Sequence, residues 1–222
     1  MLAPAALLAA VVMATPAAAP AGRLDVAAVV DRVQRRYDGA VDFRARFTQT
    51  LTNTAMGRKT NSAGAVMFKK PGRMRWDYEK PEKATYVSDG GVLWLYEPED
   101  QQAFKQELKS SQLPAALAFL TGKGKLAAEF DITALEQSPY GVPGDYRLSL
   151  SPKVAEPQVK NIVFIVDPRT FDVRESVITD GQGNLNDLTF ADIKTNTKIP
   201  ESEFRFSPPA GVRVIDTAKL GH

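Results

Sequence analysis

The chain has 222 residues, no cysteine, and one histidine, His222, at its last position. Lys and Arg number 28 against 26 Asp and Glu, so there is no strong field to gather a polyanion. With that one histidine at the last position, a Ser-His-Asp or Cys-His nucleophile and a His-ligated zinc or iron site are not expected. Among catalytic constellations only carboxylate pairs remain, and nothing in the spacing of the acids favours one.

The chain opens with MLAPAALLAAVVMATPAAAPAG. Its apolar run is too short to span a bilayer, which takes about 20 residues. It does match the core and small-residue cleavage region of a secretory signal peptide, although a positively charged start is missing. Cleavage after Ala21 is expected, which makes 1–21 a leader and 22–222 one domain. With no cysteine, a lipid anchor of the bacterial lipoprotein kind is excluded, and a soluble exported protein is expected.

Val26, Val29, Val30 and Val33 recur at helical spacing within 24–37, with Asp25 suited to the helix start. From Val41 the period changes to two. Phe43, Ala45 and Phe47 alternate with Arg44 and Arg46, as in a half-buried strand. Beyond a polar turn at 54–61, strands are predicted at 63–69, 73–78, 85–88 and 92–96. Asp89-Gly90-Gly91 forms a hairpin turn between the last two. Further strands are predicted at 146–150, 162–166, 171–179, 185–191 and 204–206. One segment interrupts the series: Leu113, Leu117 and Leu120 fall at helical spacing, with Pro114 in the first turn and Gly122 as a stop. A second short helix is predicted at 125–130. Short strands separated by turns argue for an antiparallel sandwich or barrel.

Three motifs carry no chemistry. TGKGK at 121–125 lacks the spacing of a phosphate loop and follows a helix. DGQGN at 180–184 lacks the acidic ligands of a calcium loop and reads as a hairpin turn. Glu97-Pro98-Glu99-Asp100 reads as a solvated turn. KKPGRMRWDYEKP, 69–81, mixes cations with rings as a nucleic-acid groove would. On a strand, however, Arg73, Arg75 and Asp77 point one way and Met74, Trp76 and Tyr78 the other. A single-strand binder needs both kinds on one face, so no nucleic-acid partner is expected.

VLWLY at 92–96 and IVFIV at 162–166 are apolar on both faces, whereas a sheet with one wet face should alternate. Two readings fit. One is an ordinary sandwich core with a packed helix. The other is a curved sheet whose concave face lines an apolar cavity, with the 113–120 helix as its lid.

K-K-P-G-R-M-R-W-x-Y-x-x-P at 69–81 and V-S-D-G-x-x-L-W-x-Y-x-P at 87–98 resemble the periplasmic outer-membrane lipoprotein carrier family. So do Phe43, Ala45, Phe47 and Gln49 near the start and FRFSPPAGVRVI at 204–215. The resemblance implies a mainly β fold with some α: an incomplete, open antiparallel β-barrel closed by a helical lid. It implies a monomeric, non-enzymatic periplasmic chaperone without cofactor or metal, which carries lipoprotein acyl chains from the inner to the outer membrane. Its partners would be an inner-membrane ABC complex that releases lipoproteins and an outer-membrane acceptor. Phe47, Met74, Trp76, Leu93, Leu95, Leu113, Leu117 and Leu120 would line the cavity or its lid. Lys70 stands where the family typically has Arg and would latch the lid, with its charge kept but the planar fork lost. Met74 stands where an aromatic residue is common. Trp94 also matches, and whether Trp76 and Trp94 face the cavity or an outer core is left open. The alternative is a sensor of the same fold for another lipid or for envelope signalling.

Overall fold

The computed structural model describes residues 25–107 and 124–217. The proposed leader and Leu113, Leu117 and Leu120 lie outside the described residues. Helix α1 spans Val26–Asp38 and starts where Asp25 accepts a 2.7 Å hydrogen bond from the Ala28 N–H. This N-cap satisfies one of the helix's free donors. Val29, Val30, Val33 and Tyr37 form its buried stripe.

Twelve strands form one open sheet. In chain order they are β1 (Asp42–Asn53), β2 (Arg58–Lys69), β3 (Arg73–Lys80), β4 (Ala84–Ser88), β5 (Val92–Glu97) and β6 (Gln102–Glu107). After them come β7 (Phe130–Ala134), β8 (Tyr146–Pro152), β9 (Asn161–Val166), β10 (Val173–Thr179), β11 (Leu185–Thr195) and β12 (Arg213–Asp216). The spatial order is β12-β6-β5-β4-β3-β2-β1-β11-β10-β9-β8-β7. Central β1 therefore joins the two halves, pairing with β2 on one side and β11 on the other. Every pairing is antiparallel except β12 with β6, which is parallel. The outer strands β12 and β7 do not meet, so the barrel is incomplete.

The period-two segments became strands because their alternation matches the pleat. Phe43, Ala45, Phe47 and Gln49 of β1 are buried, while Arg44, Arg46 and Thr48 are exposed. The Asp89-Gly90-Gly91 and 180–184 turns close hairpins as expected. Other details differ from the sequence reading. The polar turn after β1 is tighter than 54–61, because β2 already begins at Arg58. Strands β6, β7 and β12 were not expected: each is only four to six residues long. Helix α2 is one turn, Leu126–Glu129. The segment expected as a strand at 204–206 instead follows a 3-10 turn, Glu201–Phe204, as extended chain.

That C-terminal segment explains the two-sided apolar strands. On the convex side Phe206 packs 5.4 Å from the Trp94 ring and 5.3 Å from Tyr96, and Phe204 is fully buried. The β9 residue Ile165 is likewise buried on its convex side, beside Gly141 of the loop before β8. Trp94 therefore belongs to an outer core. Trp76 faces inward, among Phe47, Phe68 and Phe190. Two cations of β3 are tied up within the fold: Arg73 meets Glu201 at 2.8 Å, and Arg75 meets Asp77 at 2.7 Å and the Glu203 carbonyl at 3.1 Å.

Asp42 anchors the return of the chain from β11. Its buried carboxylate accepts from the Thr197 N–H (2.7 Å), the Thr197 hydroxyl (3.1 Å) and the Ile199 N–H (3.1 Å). Burial alone would raise its pKa, but the N–H donors of Thr197, Ile199 and Lys198 outweigh burial and hold it below the usual carboxylate range. A depressed folded pKa stabilises the protein fully above the unfolded value of about 4. That contribution is lost as pH falls through the folded value. Asp42→Ala leaves these donors unpaired. It should lower the unfolding free energy by about 2–3 kcal/mol near neutral pH. In urea unfolding the gap from the parent protein should narrow steadily toward pH 3, and a gap that stays constant with pH would refute this role.

Candidate functional site

The register of β1 to β6 sets one continuous inner surface. Phe43, Phe68, Met74, Ser88, Leu93 and Gln106 lie in one row across the strands, and Ala45, Val66, Trp76, Tyr86, Leu95 and Phe104 in the next. Helix α1 covers part of this surface and joins its buried side chains in one apolar cluster. Under the helix the rings interlock. Phe47 sits 4.9 Å from Trp76 and 5.0 Å from Tyr78, edge to face, and Phe68 sits 5.8 Å from Trp76. Each such pair adds about 0.5–1.5 kcal/mol beyond its buried area. Phe47, Met74 and Trp76 are thus buried floor of the concave face. Glycine is required beside them: a Cβ on Gly64 would overlap the Asp77 carbonyl and press the Phe47 ring at 2.9 Å.

Cavities open around this floor. One of about 470 Å³ lies between α1 and the β7 edge, with Val26, Val30, Phe130 and Ile132 inside and Asp31, Gln34, Lys125 and Asp131 around them. A second, about 370 Å³, is built from Tyr86, Leu93, Leu95 and Phe104, with Glu97, Gln106 and Thr217 also in its wall. A third, also about 370 Å³, has Leu51, Val159, Ile178 and Leu185 among the polar side chains Asn53, Asn184 and Asn186. Leu93 and Leu95 therefore line a cavity, while Phe47, Met74 and Trp76 support it from beneath. Leu113, Leu117 and Leu120 cannot be placed, being outside the described residues. Sequence reading missed Tyr86 and Phe104. The signal was weak: Phe104 belongs to a strand with only two apolar residues, and Tyr86 to a five-residue strand.

Lys70 reaches the C-terminal turn of α1. Its Nζ donates to the Tyr37 carbonyl at 2.6 Å and the Asp38 carbonyl at 3.1 Å. Burial lowers its pKa, Asp38 opposes that shift, and Lys125 adds to it. Lys125 itself bonds the Asp38 carboxylate at 2.6 Å, and Gln34 accepts from the Leu126 N–H at 2.9 Å. The hydrogen bond from Lys125, then that from Gln34, hold the Asp38 carboxyl low. Lys70 thus ties the β2 end to α1, where cations offset the helix dipole and satisfy free carbonyls.

A close carboxyl pair, Glu175 and Asp187, lies on the opposite, convex face. Burial raises both carboxyls, and the Asp187 charge raises Glu175 further. Glu175 also accepts from the Gly141 N–H at 3.0 Å, which holds the covering loop. Neither residue lines the three cavities. Among the described residues no three His, Cys, Asp or Glu side chains converge as for a metal, and no helix is long and apolar enough to cross a membrane.

An open β half-barrel, with one helix over an apolar concave face and ligand-sized spaces beside it, defines a class of apolar-ligand binding folds. The family model described as "Outer membrane lipoprotein carrier protein LolA" matches residues 38–207. Proteins called outer-membrane lipoprotein carrier protein are similar along most of the chain. The one from Methylibium petroleiphilum is 32% identical, covering 78% of this chain and 81% of its own. The one from Pseudomonas aeruginosa is 30% identical, covering 86% and 89%. This chain belongs to the LolA family of outer membrane lipoprotein carrier proteins. Among solved structures, an uncharacterized conserved protein from Thermus thermophilus has a TM-score of 0.54 at 13% identity, covering 86% of this chain and 98% of its own. MucB has a TM-score of 0.50 at 16% identity, covering 87% and 66%. Both likenesses concern the fold alone.

Replacing Lys70 with Met removes the donor to both α1 carbonyls. The expected loss is about 1 kcal/mol of unfolding free energy, with faster amide exchange confined to the last turn of α1. Lys70→Arg should restore protection there. Unchanged exchange in Lys70→Met would rule out the tie.

Proposed function

We propose that this protein is a non-enzymatic periplasmic carrier of lipoprotein acyl chains, exported by its 1–21 leader. It would take cargo from an inner-membrane ATP-driven release complex and hand it to an outer-membrane acceptor. The observation that carries the reading is the apolar space built from Leu93, Leu95, Tyr86 and Phe104 on a concave face whose floor is already packed. Membership of the carrier family supports it. Each methylene left in water costs about 0.8 kcal/mol, so one sixteen-carbon chain costs on the order of 12 kcal/mol. Free diffusion of an acylated protein is negligible at that cost, and a container is required. The 113–120 segment is proposed as its lid, and Lys70, through α1, as part of what holds the closed form.

The test is direct binding. The purified protein should bind a fluorescent fatty-acyl probe and a triacylated lipopeptide at micromolar concentration or below. Leu93→Glu and Leu95→Glu should each weaken binding by about tenfold or more, since each replaces an apolar wall with a charge. Lipoproteins should co-purify with the protein isolated from its own envelope. If neither lipid binds, the carrier reading is wrong. Co-purification of a different lipid without lipoprotein would move the chain to another ligand on the same fold.

A further inference from the structure

The concave face is not uniformly apolar. Gln49 continues the inward phase of Phe43, Ala45 and Phe47 and is buried there. Its Nε2 donates to Asn186 Oδ1 at 2.9 Å, and its Oε1 accepts from the Tyr78 hydroxyl at 3.1 Å. The Tyr78 ring in turn packs 5.7 Å from the Tyr86 ring. Asn186 lines the third cavity and Tyr86 the second. A string of polar side chains, Asn186-Gln49-Tyr78-Tyr86, therefore crosses the apolar floor from one cavity to the other.

Burying such groups is costly unless they are hydrogen-bonded. The middle of the string satisfies itself, and burial pushes the Tyr78 hydroxyl up to about 12, so it stays a neutral donor. The ends are different. Among the described residues the Asn186 amide nitrogen and the Tyr86 hydroxyl have no protein acceptor, and each belongs to a cavity wall. A ligand made only of methylenes would cover these donors without pairing them, and a free carboxylate would have to bring its charge onto an apolar floor. A neutral carbonyl flanked by alkyl chain fits both demands: it accepts hydrogen bonds and carries no charge.

We infer that the Asn186-Gln49-Tyr78-Tyr86 string recognises the ester or amide carbonyls through which acyl chains are joined to their carrier molecule. Tyr86 and Asn186 are the contacting donors. Gln49 and Tyr78 position them. The inference rests on the acyl-carrier reading and sharpens it, because it makes the ligand a linked acyl group and not any hydrocarbon chain of the right length. It also sets depth: the linkage stops at the string, with chains reaching into the cavities on either side.

The experiment compares didecanoylglycerol with its diether analogue didecylglycerol, which has the same chains and no carbonyl. Each competes with a fluorescent fatty-acyl probe for the intact protein. The ester should bind roughly five- to tenfold more tightly than the ether. In the Tyr86→Phe, Asn186→Leu double variant the ester-to-ether ratio should fall toward one, whatever the change in absolute affinity. Tyr86→Phe alone removes one hydroxyl from a partly buried side chain and should give an intermediate ratio; thermal unfolding reports whether either variant is perturbed. Equal affinity of the parent protein for the two lipids would overturn the inference and leave the carrier reading standing, as would a double variant that keeps the parent ratio. Failure of both lipids to displace the probe, or of the probe to bind, would overturn the carrier reading and this inference with it.

Discussion

The last turn of α1 is the junction on which the rest of the architecture depends. Within four residues it is held from three directions. Lys70 at the end of β2 donates to the Tyr37 and Asp38 carbonyls. The Tyr37 hydroxyl accepts from the Val173 N–H of β10 at 3.0 Å. Arg36 meets Asp172 at 2.8 Å and the Thr195 hydroxyl at 2.9 Å. These contacts come from both halves of the sheet, so the helix fixes how strongly the sheet curls. They also fix which part of the concave face the helix covers. A helix is roughly 10 Å across with its side chains and cannot fill the inside of a twelve-stranded sheet. What α1 leaves uncovered becomes the cavity walls.

The same logic assigns the convex face a structural role. Strands with apolar residues on both faces need two covers, and the chain supplies the second with its own C-terminal segment and the loop before β8. Phe206 lies on Trp94 and Tyr96, Glu201 gathers Lys69 and Arg73, and Asp42 fastens the start of the segment. The segment then ends as β12, parallel to β6 and extending the sheet by one strand. With the outer side closed in this way, the apolar surface still available for a ligand is on the inside. Glu175, half-buried, helps that closure by holding the Gly141 loop.

Much of this was legible in the sequence where a side-chain period was long enough to be seen. The β1 alternation from Phe43, the 73–78 face split and the two glycine-containing hairpin turns led to the right strands and faces. The two-sided strands at 92–96 and 162–166 correctly signalled double cover, but not which face held the cavity; that depends on where α1 and the C-terminal segment dock, which is a tertiary fact. Strands β6, β7 and β12 are four to six residues long with mixed composition, and their pairing is decided by neighbours far along the chain. Lys70 shows a further limit. Its motif singled it out, yet its partners are main-chain carbonyls, and carbonyls leave no trace in residue types. The polar string was half visible, since Gln49 and Tyr78 sit in phase with buried rings, but Asn186 joins it only through the β1–β11 register.

A carrier has to hold its cargo tightly and then release it, so its stability and its binding surface should not rest on the same contacts. The structure separates them. The interlocked rings of β1, β2 and β3, with the buried stripe of α1, form the most occluded part of the molecule, and Phe47, Phe68, Val66 and Val33 are almost wholly shielded. All six residues of β5 are only half-buried, and Leu93 and Leu95 are among them. The wall of the second cavity is thus built from strands near the sheet's edge. On the proposed carrier reading, loading would complete the packing of this wall and release would restore it without disturbing the floor beneath. A conformational change confined to the β4–β6 side then costs the fold little.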